Sequence, residues 1–323
     1  MQVSWSVSRD QILHNCERCY YFQYLAAAKI NSRDKMLQEI AFLKKVKNIP
    51  LWKGDAFHRA VASYLRSLRV GVQPTLAQLT DRLREQMMSE WTFSINQDFI
   101  LNPRGIDKAG GLALFEHVYE VKLEQEVSDI IEEVITGLSQ FVAWIDDGNV
   151  VDSLRTASRI WLEEPVFGPN APGFHVDGVQ VLVKTDLAIL TPDHKFEIFD
   201  WKTGAPSSFL SKAPNGAEFQ VNVYQLWPHL GLGHSLESIR AHLVYVEQDP
   251  PLLQSFGIDG NLKEQTLASI RRSIDRVKMF AGLHENGQEK LRLCDCDFGF
   301  SVNRCKRCKF KRLCQRMVEN ELV

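Results

Sequence analysis

Asp186-Leu187-Ala188-Ile189-Leu190, the break Thr191-Pro192-Asp193-His194, and then Phe196-Glu197-Ile198-Phe199-Asp200-Trp201-Lys202-Thr203-Gly204 form the stretch on which the reading of this chain turns. Two apolar runs rich in strand formers flank a turn-forming tetrapeptide, the pattern of a β-hairpin. Side chains alternate faces along a strand, so Asp200 and Lys202 project together while Trp201 points away, and Asp186 on the preceding run can reach the same spot. Two carboxylates so close repel unless a cation separates them, and hard oxygen ligands select Mg²⁺ or Mn²⁺. Beside such a dication the Lys202 ammonium has its pKa pushed down, which suits it to orient or deprotonate a water. An acid-x-Lys triplet by itself says little, because Glu120-Val121-Lys122 and Asp193-His194-Lys195 share it. The apolar approach, the trailing Thr203-Gly204 and the upstream Asp186 set Asp200-Trp201-Lys202 apart, whereas Pro192-Asp193 falls in the turn.

Outward from the hairpin, the chain of 323 residues is 45% hydrophobic and 24% charged, enough for a sizeable core and one or two domains. Its apolar runs fall short of the roughly 20 residues of a spanning helix, and its first residues lack a basic-then-apolar leader, so a cytoplasmic protein with no membrane association is expected. Helices are expected over 8–25, 35–45, 53–68, 75–91 and 112–144, with Asp146-Asp147-Gly148-Asn149 as a break. Strands are expected over 158–162, 179–190, 196–201 and 242–247, and further helices over 217–230 and 262–283. That order defines an α/β fold: a mixed central sheet flanked by helices, a helical N-terminal elaboration and a cysteine-rich tail. The corresponding regions are 1–150, 151–285 and 286–323, the last folding back on the first as one compact unit.

Seven cysteines in a reducing compartment are better read as metal ligands than as disulfides. Cys305, Cys308 and Cys314 have Cys-x2-Cys-x5-Cys spacing, and Cys16, in Asn-Cys-Glu-Arg-Cys-Tyr-Tyr, is a fourth partner close to the other end. Around the triplet, Arg304, Lys306, Arg307, Lys309, Lys311, Arg312 and Arg316 run without an intervening acid, a cationic patch suited to a nucleic-acid backbone.

The hairpin motif resembles that of the PD-(D/E)XK nuclease superfamily, specifically its RecB-like exonuclease branch with CRISPR-associated and AddB-type members. Three more pieces agree in order: Ser6-Val7-Ser8-Arg9 with Cys16-Glu17-Arg18 and Tyr20-Tyr21 is similar to the branch's opening helix, Gly54-Asp55-Ala56-Phe57-His58 to its Gly-x3-His helix, and Gln220-Val221-Asn222-Val223-Tyr224 to its Gln-x3-Tyr helix. The resemblance implies a restriction-endonuclease-like core and metal-dependent hydrolysis of DNA, chiefly at single-stranded ends. It assigns His58, Asp186, Asp200 and the backbone carbonyl of Trp201 to Mg²⁺ or Mn²⁺, and Lys202, with Gln220 and Tyr224 on one helix face, to the reacting phosphate. It also implies a [4Fe-4S] cluster on Cys16, Cys305, Cys308 and Cys314. Zinc is the competing metal, because it takes four thiolates equally well. Cys19 competes with Cys16 as a ligand, Glu17 stands where the branch has proline after the first cysteine, and Cys294 and Cys296 have no assigned place.

No Gly-x4-Gly-Lys-Ser/Thr occurs, so any unwinding would come from a helicase or another repair or defence partner. Two other readings remain open: a non-catalytic DNA-binding or scaffold relative, and a zinc-bound interaction module. The first is disfavoured because buried charges without a cation destabilise a fold that has no use for them.

Overall fold

The computed structural model describes residues 4–26, 31–147, 150–164, 171–204, 216–285 and 305–319. The chain opens with β1 (Ser4–Trp5), α1 (Val7–Asn15), α2 (Glu17–Tyr20) and a π-helical turn over Tyr21–Leu25. A helical layer follows: α3 (Lys35–Leu43), α4 (Ile49–Arg69), α5 (Leu76–Ile95), α6 (Asp98–Leu101), α7 (Phe115–Val118), α8 (Val127–Asp147) and α9 (Val150–Thr156). Then come β2 (Arg159–Leu162), β3 (Gly173–Val176), β4 (Val179–Leu182), β5 (Leu187–Leu190), β6 (Phe196–Lys202), α10 (Ala217–Leu226), β7 (Ile239–Tyr245), β8 (Leu252–Phe256), α11 (Gly260–Glu285) and, in the tail, α12 (Lys311–Glu319).

The five-stranded sheet has order β2-β5-β6-β7-β8, antiparallel except for the parallel β6–β7 pair joined through α10. A three-stranded sheet, β1-β4-β3, stands beside it. The alternation in β6 decides the layers. Phe196 and Ile198 pack with Val221 and Val223 of α10 and Ile270 and Ile274 of α11, while Phe199 and Trp201 join a separate cluster with Phe57 of α4 and Phe141 of α8. Helices therefore cover both faces of a mixed sheet, as expected. Asp200 and Lys202, in step with Phe196 and Ile198, face α10.

Several expected elements divide. The helix over 8–25 breaks at Cys16, whose extended backbone (φ −166°, ψ 112°) ends α1 and caps α2. The helix over 112–144 becomes α7 and α8, because the polar segment between them has no apolar stripe to bury and Glu120 sits at φ +52°. The strand over 179–190 becomes β4 and β5 in different sheets, since the chain leaves the small sheet after Val183 and enters the large one at Leu187. Asp186 therefore lies at the mouth of β5 and not within it. β1, β3 and β8 are short or alternate weakly, and their sequences had not marked them as strands.

Candidate metal centre

α4 is built to aim one side chain. Asn48 caps it by accepting from the Leu51 N–H at 3.0 Å, Pro50 occupies its first turn, and Trp52, Ala56, Phe57, Val61, Leu65 and Leu68 form its buried stripe. Gly54 sits one turn before His58, and a β-carbon there would lie 3.4 Å from Oγ1 of Thr203, just past the end of β6. The helix thus lies against the end of the strand that carries Asp200 and Lys202, with Gly54 next to Thr203 at the contact.

His58 Nδ1 is 3.0 Å from Asp186 Oδ1 and 3.6 Å from Glu163 Oε1. The other oxygen of Asp186 accepts the Trp201 backbone N–H at 2.7 Å, while the indole ring points away, its centroid 4.9 Å from that of Phe141. Asp186 and Asp200 are both buried. His58, Glu163 and Asp186 can each offer one ligand atom within 4.8 Å of the others. The third corner is thus Glu163, a residue the sequence reading did not weigh, and Asp200 stands outside that compact triad.

Asp200 is instead paired with Lys202, whose Nζ is 2.6 Å from its Oδ2. That oxygen is buried and accepts no directed hydrogen bond. Lys202 also donates to Gln220 Oε1 at 2.9 Å, and the Gln220 amide donates in turn to the Tyr224 hydroxyl. The Gln-x3-Tyr face of α10 therefore meets Lys202, and the site straddles the rim of the sheet between the α4 layer and the α10 layer.

Burial alone would lower the pKa of His58, but hydrogen bonds to Asp186 and Glu163 and the charge of Asp200 raise it to about 10. Burial pushes Asp186 upward, with Asp200 adding to the effect and His58 opposing it. Burial opposes the charge on Lys202 as well, yet the ion pair with Asp200 raises its pKa. Tyr224 is held well above its ordinary value by burial and keeps its proton. An imidazole, two carboxylates in reach and a third buried carboxylate nearby are a donor set that fits a hard divalent cation, with the nitrogen favouring Mn²⁺ somewhat over Mg²⁺.

Glu163 could have been found from the acid pair Glu163-Glu164 directly after the run Ile160-Trp161-Leu162. Its backbone occupies the left-handed region at φ +49°, and its N–H bonds to the Asp186 carbonyl at 3.1 Å. A non-glycine residue held there by a neighbouring ligand is strained in the manner of functional positions.

A second constellation lies at the tail. Cys16, Cys19, Cys305, Cys308 and Cys314 line one cavity of about 530 Å³ together with Arg18, Phe22 and Tyr119. Arg18 donates to Cys314 Sγ at 3.2 Å, and Cys19 and Cys308 are hydrogen-bonded through their side chains. That bond raises the pKa of Cys19 and lowers that of Cys308. The tail is anchored by buried Phe310, 5.2 Å from the Phe22 ring, and by buried Leu313. Cys294, Cys296 and Arg304 lie outside the described residues.

The cationic patch is largely engaged within the molecule. Lys309 donates to the Lys44 carbonyl at 2.7 Å, Lys311 and Arg312 lie 4.3 and 4.7 Å above the Tyr119 ring, and Arg316 pairs with Glu39. Spacing alone had suggested a surface for nucleic acid. In the fold, much of it holds the tail down.

A mixed sheet with a carboxylate–lysine hairpin at its rim is the arrangement expected of a PD-(D/E)XK fold. Residues 4–315 match the PD-(D/E)XK nuclease superfamily, and the chain belongs to it. Comparison with curated proteins gives no match. Among solved structures, a protein from Eubacterium rectale provisionally named an exonuclease aligns over 88% of this chain and 82% of its own at 15% identity, with a TM-score of 0.42. The protein SSO0001 aligns over 62% and 79% at 14% identity, with a TM-score of 0.30. No helix among the described residues is long and apolar enough to cross a membrane.

Proposed function

We propose that this chain is a Mg²⁺- or Mn²⁺-dependent deoxyribonuclease that hydrolyses phosphodiester bonds at single-stranded DNA ends, braced by a [4Fe-4S] cluster. The observation that carries the reading is the convergence of His58, Glu163 and Asp186 beside the Asp200–Lys202–Gln220 chain. His58, Glu163 and Asp186 would hold the divalent ion, with Asp200 and the Trp201 carbonyl completing its shell. The ion supplies positive charge where negative charge builds up on the phosphoryl oxygens.

Everything else is done by side chains of this chain. Lys202 is held by Asp200 and Gln220 with its ammonium at the rim, where it hydrogen-bonds the entering water or a non-bridging phosphate oxygen. Gln220 fixes the orientation of Lys202, because its oxygen is taken by the ammonium and its nitrogen by Tyr224. Tyr224, kept protonated, stays a neutral partner in that relay. Hydrolysis adds water across one P–O bond, leaving a phosphate monoester and a hydroxyl.

A cluster is favoured over zinc by the ligand pattern, one distant cysteine with a compact Cys-x2-Cys-x5-Cys triplet, whereas zinc sites usually pair two Cys-x2-Cys knuckles. Five cysteines line one cavity, which supports a shared centre there. Cys16, Cys305, Cys308 and Cys314 are the proposed ligands, with Cys19 as the fifth thiol beside Cys308. A cluster there ties positions separated by nearly the whole chain, removing roughly 5 kcal/mol of loop-closure freedom from the unfolded state, and so makes the three regions one unit.

The test is anaerobic purification followed by cleavage of end-labelled single- and double-stranded DNA with Mg²⁺ or Mn²⁺, wild type against Asp200→Ala. A brown protein whose cleavage needs the ion and disappears in the variant is expected. Cleavage that survives Asp200→Ala rejects the site. A colourless protein containing zinc rejects the cluster.

A further inference from the structure

Lys184 lies at the corner between β4 and β5, two residues before Asp186, with its side chain 61% exposed. Its Nζ is 3.2 Å from Oε2 of Glu163, while Oε1 of the same carboxylate faces His58 at 3.6 Å. One carboxylate thus bridges an exposed ammonium to the heart of the candidate metal centre. The other cations around the centre are committed elsewhere. Lys202 is enclosed between Asp200 and Gln220, Arg59 is bound to Glu90 and Asp55, Lys47 to Asp55, and Lys53 to Glu133. Lys202 also has a candidate ligand, Asp200, as its partner but is half-enclosed; among these, Lys184 is the exposed cation whose partner belongs to the His58–Glu163–Asp186 group.

A divalent ion in the centre would draw the charge of Glu163 to itself and weaken its hold on Lys184. We infer that Lys184 is a phosphate-contacting residue controlled by the metal: with the centre empty it is tied to Glu163, and ion binding releases it to a DNA backbone phosphate next to the linkage being cut. The inference rests on the nuclease reading and deepens it by naming a substrate contact. It differs from the behaviour of an ordinary surface lysine, whose attraction to DNA is the same with or without the ion.

The experiment measures binding of a labelled single-stranded oligonucleotide by fluorescence anisotropy over a salt series, in chelator and in Ca²⁺, for wild type, Lys184→Gln and Lys184→Arg. In chelator, Lys184→Gln should bind within about two-fold of wild type, because the lysine is occupied. In Ca²⁺ it should bind about three- to ten-fold more weakly, with the slope of log K against log salt shallower by about 0.7, as for one lost contact to single-stranded DNA. Lys184→Arg should restore both quantities. In a Glu163→Gln background the lysine is free without metal, so Lys184→Gln should weaken binding in chelator as well. Equal loss in chelator and Ca²⁺, or no loss in either, overturns the inference. Mn²⁺-driven cleavage by wild type is measured in parallel: its absence counts against the nuclease reading, whereas normal cleavage with an unaltered Ca²⁺ response of Lys184→Gln counts against this inference alone.

Discussion

Glu90 should prove to be the clamp that holds the His58 helix in place. Its carboxylate, 2% exposed on α5, takes four donors from three side chains: Trp52 Nε1 at 2.6 Å, Arg59 at 2.6 and 3.0 Å, and Gln86 at 3.1 Å. Trp52 and Arg59 belong to α4 and bracket its His58 turn. Replacing Glu90 by Ala leaves the fully buried Trp52 N–H without an acceptor, which costs about 1–3 kcal/mol. Arg59 is 40% exposed and can turn toward water and Asp55, so its share is smaller, about 1 kcal/mol. The expected total is about 2–4 kcal/mol in urea unfolding, accompanied by weaker Mn²⁺ binding because His58 loses its register. Trp52→Phe removes the indole donor, so the double variant should be less destabilised than the sum of the single variants by about 1 kcal/mol. A Glu90→Ala loss below about 1 kcal/mol, or strict additivity in the cycle, would refute the clamp.

Three further outcomes are expected. Lys202→Met should slow single-turnover cleavage by about 100-fold or more while DNA binding and colour persist, and a variant cleaving at the wild-type rate rules out a role for the amine in the reaction. Asp10, buried beside Ser273, has its carboxyl pKa raised by that burial, so the folded state holds its proton more tightly than the unfolded chain. Its stabilising contribution is complete below about pH 4 and lost as pH rises through the folded value, so the stability of Asp10→Asn relative to wild type should increase as pH rises from about 4 to 8, while a pH-independent difference contradicts this. Cys314→Ser should remove the brown colour and lower the thermal midpoint more than Cys19→Ser does; the reverse order would make Cys19 a ligand.

Much of the geometry of the candidate site's rim was legible without coordinates because it follows from local rules. The period of two in Phe196–Lys202 placed Asp200 with Lys202 and sent Trp201 to the opposite face. The four-residue spacings put Gly54 below His58 and Gln220 below Tyr224, and the helical period of α4, α8 and α10 marked the faces that bury. Each of these depends only on the repeat of one element, which a chain carries in its own order.

What tertiary structure decided is where separate elements meet. Glu163 reaches His58 because β2 ends beside β5 and the chain turns through a left-handed residue there, a meeting between segments about one hundred positions apart in sequence that no local period encodes. The strand expected over 179–190 divided for the same reason, as two sheets competed for its halves. The tail's cations found carbonyls, aromatic rings and Glu39 as partners, and Cys19 came to rest against Cys308, through packing of the last helix onto Phe22 and Tyr119. Residue types and spacing supplied the candidate ligands, and three-dimensional packing determined which of them come within reach of one another and which side chains hold the tail against the rest of the chain.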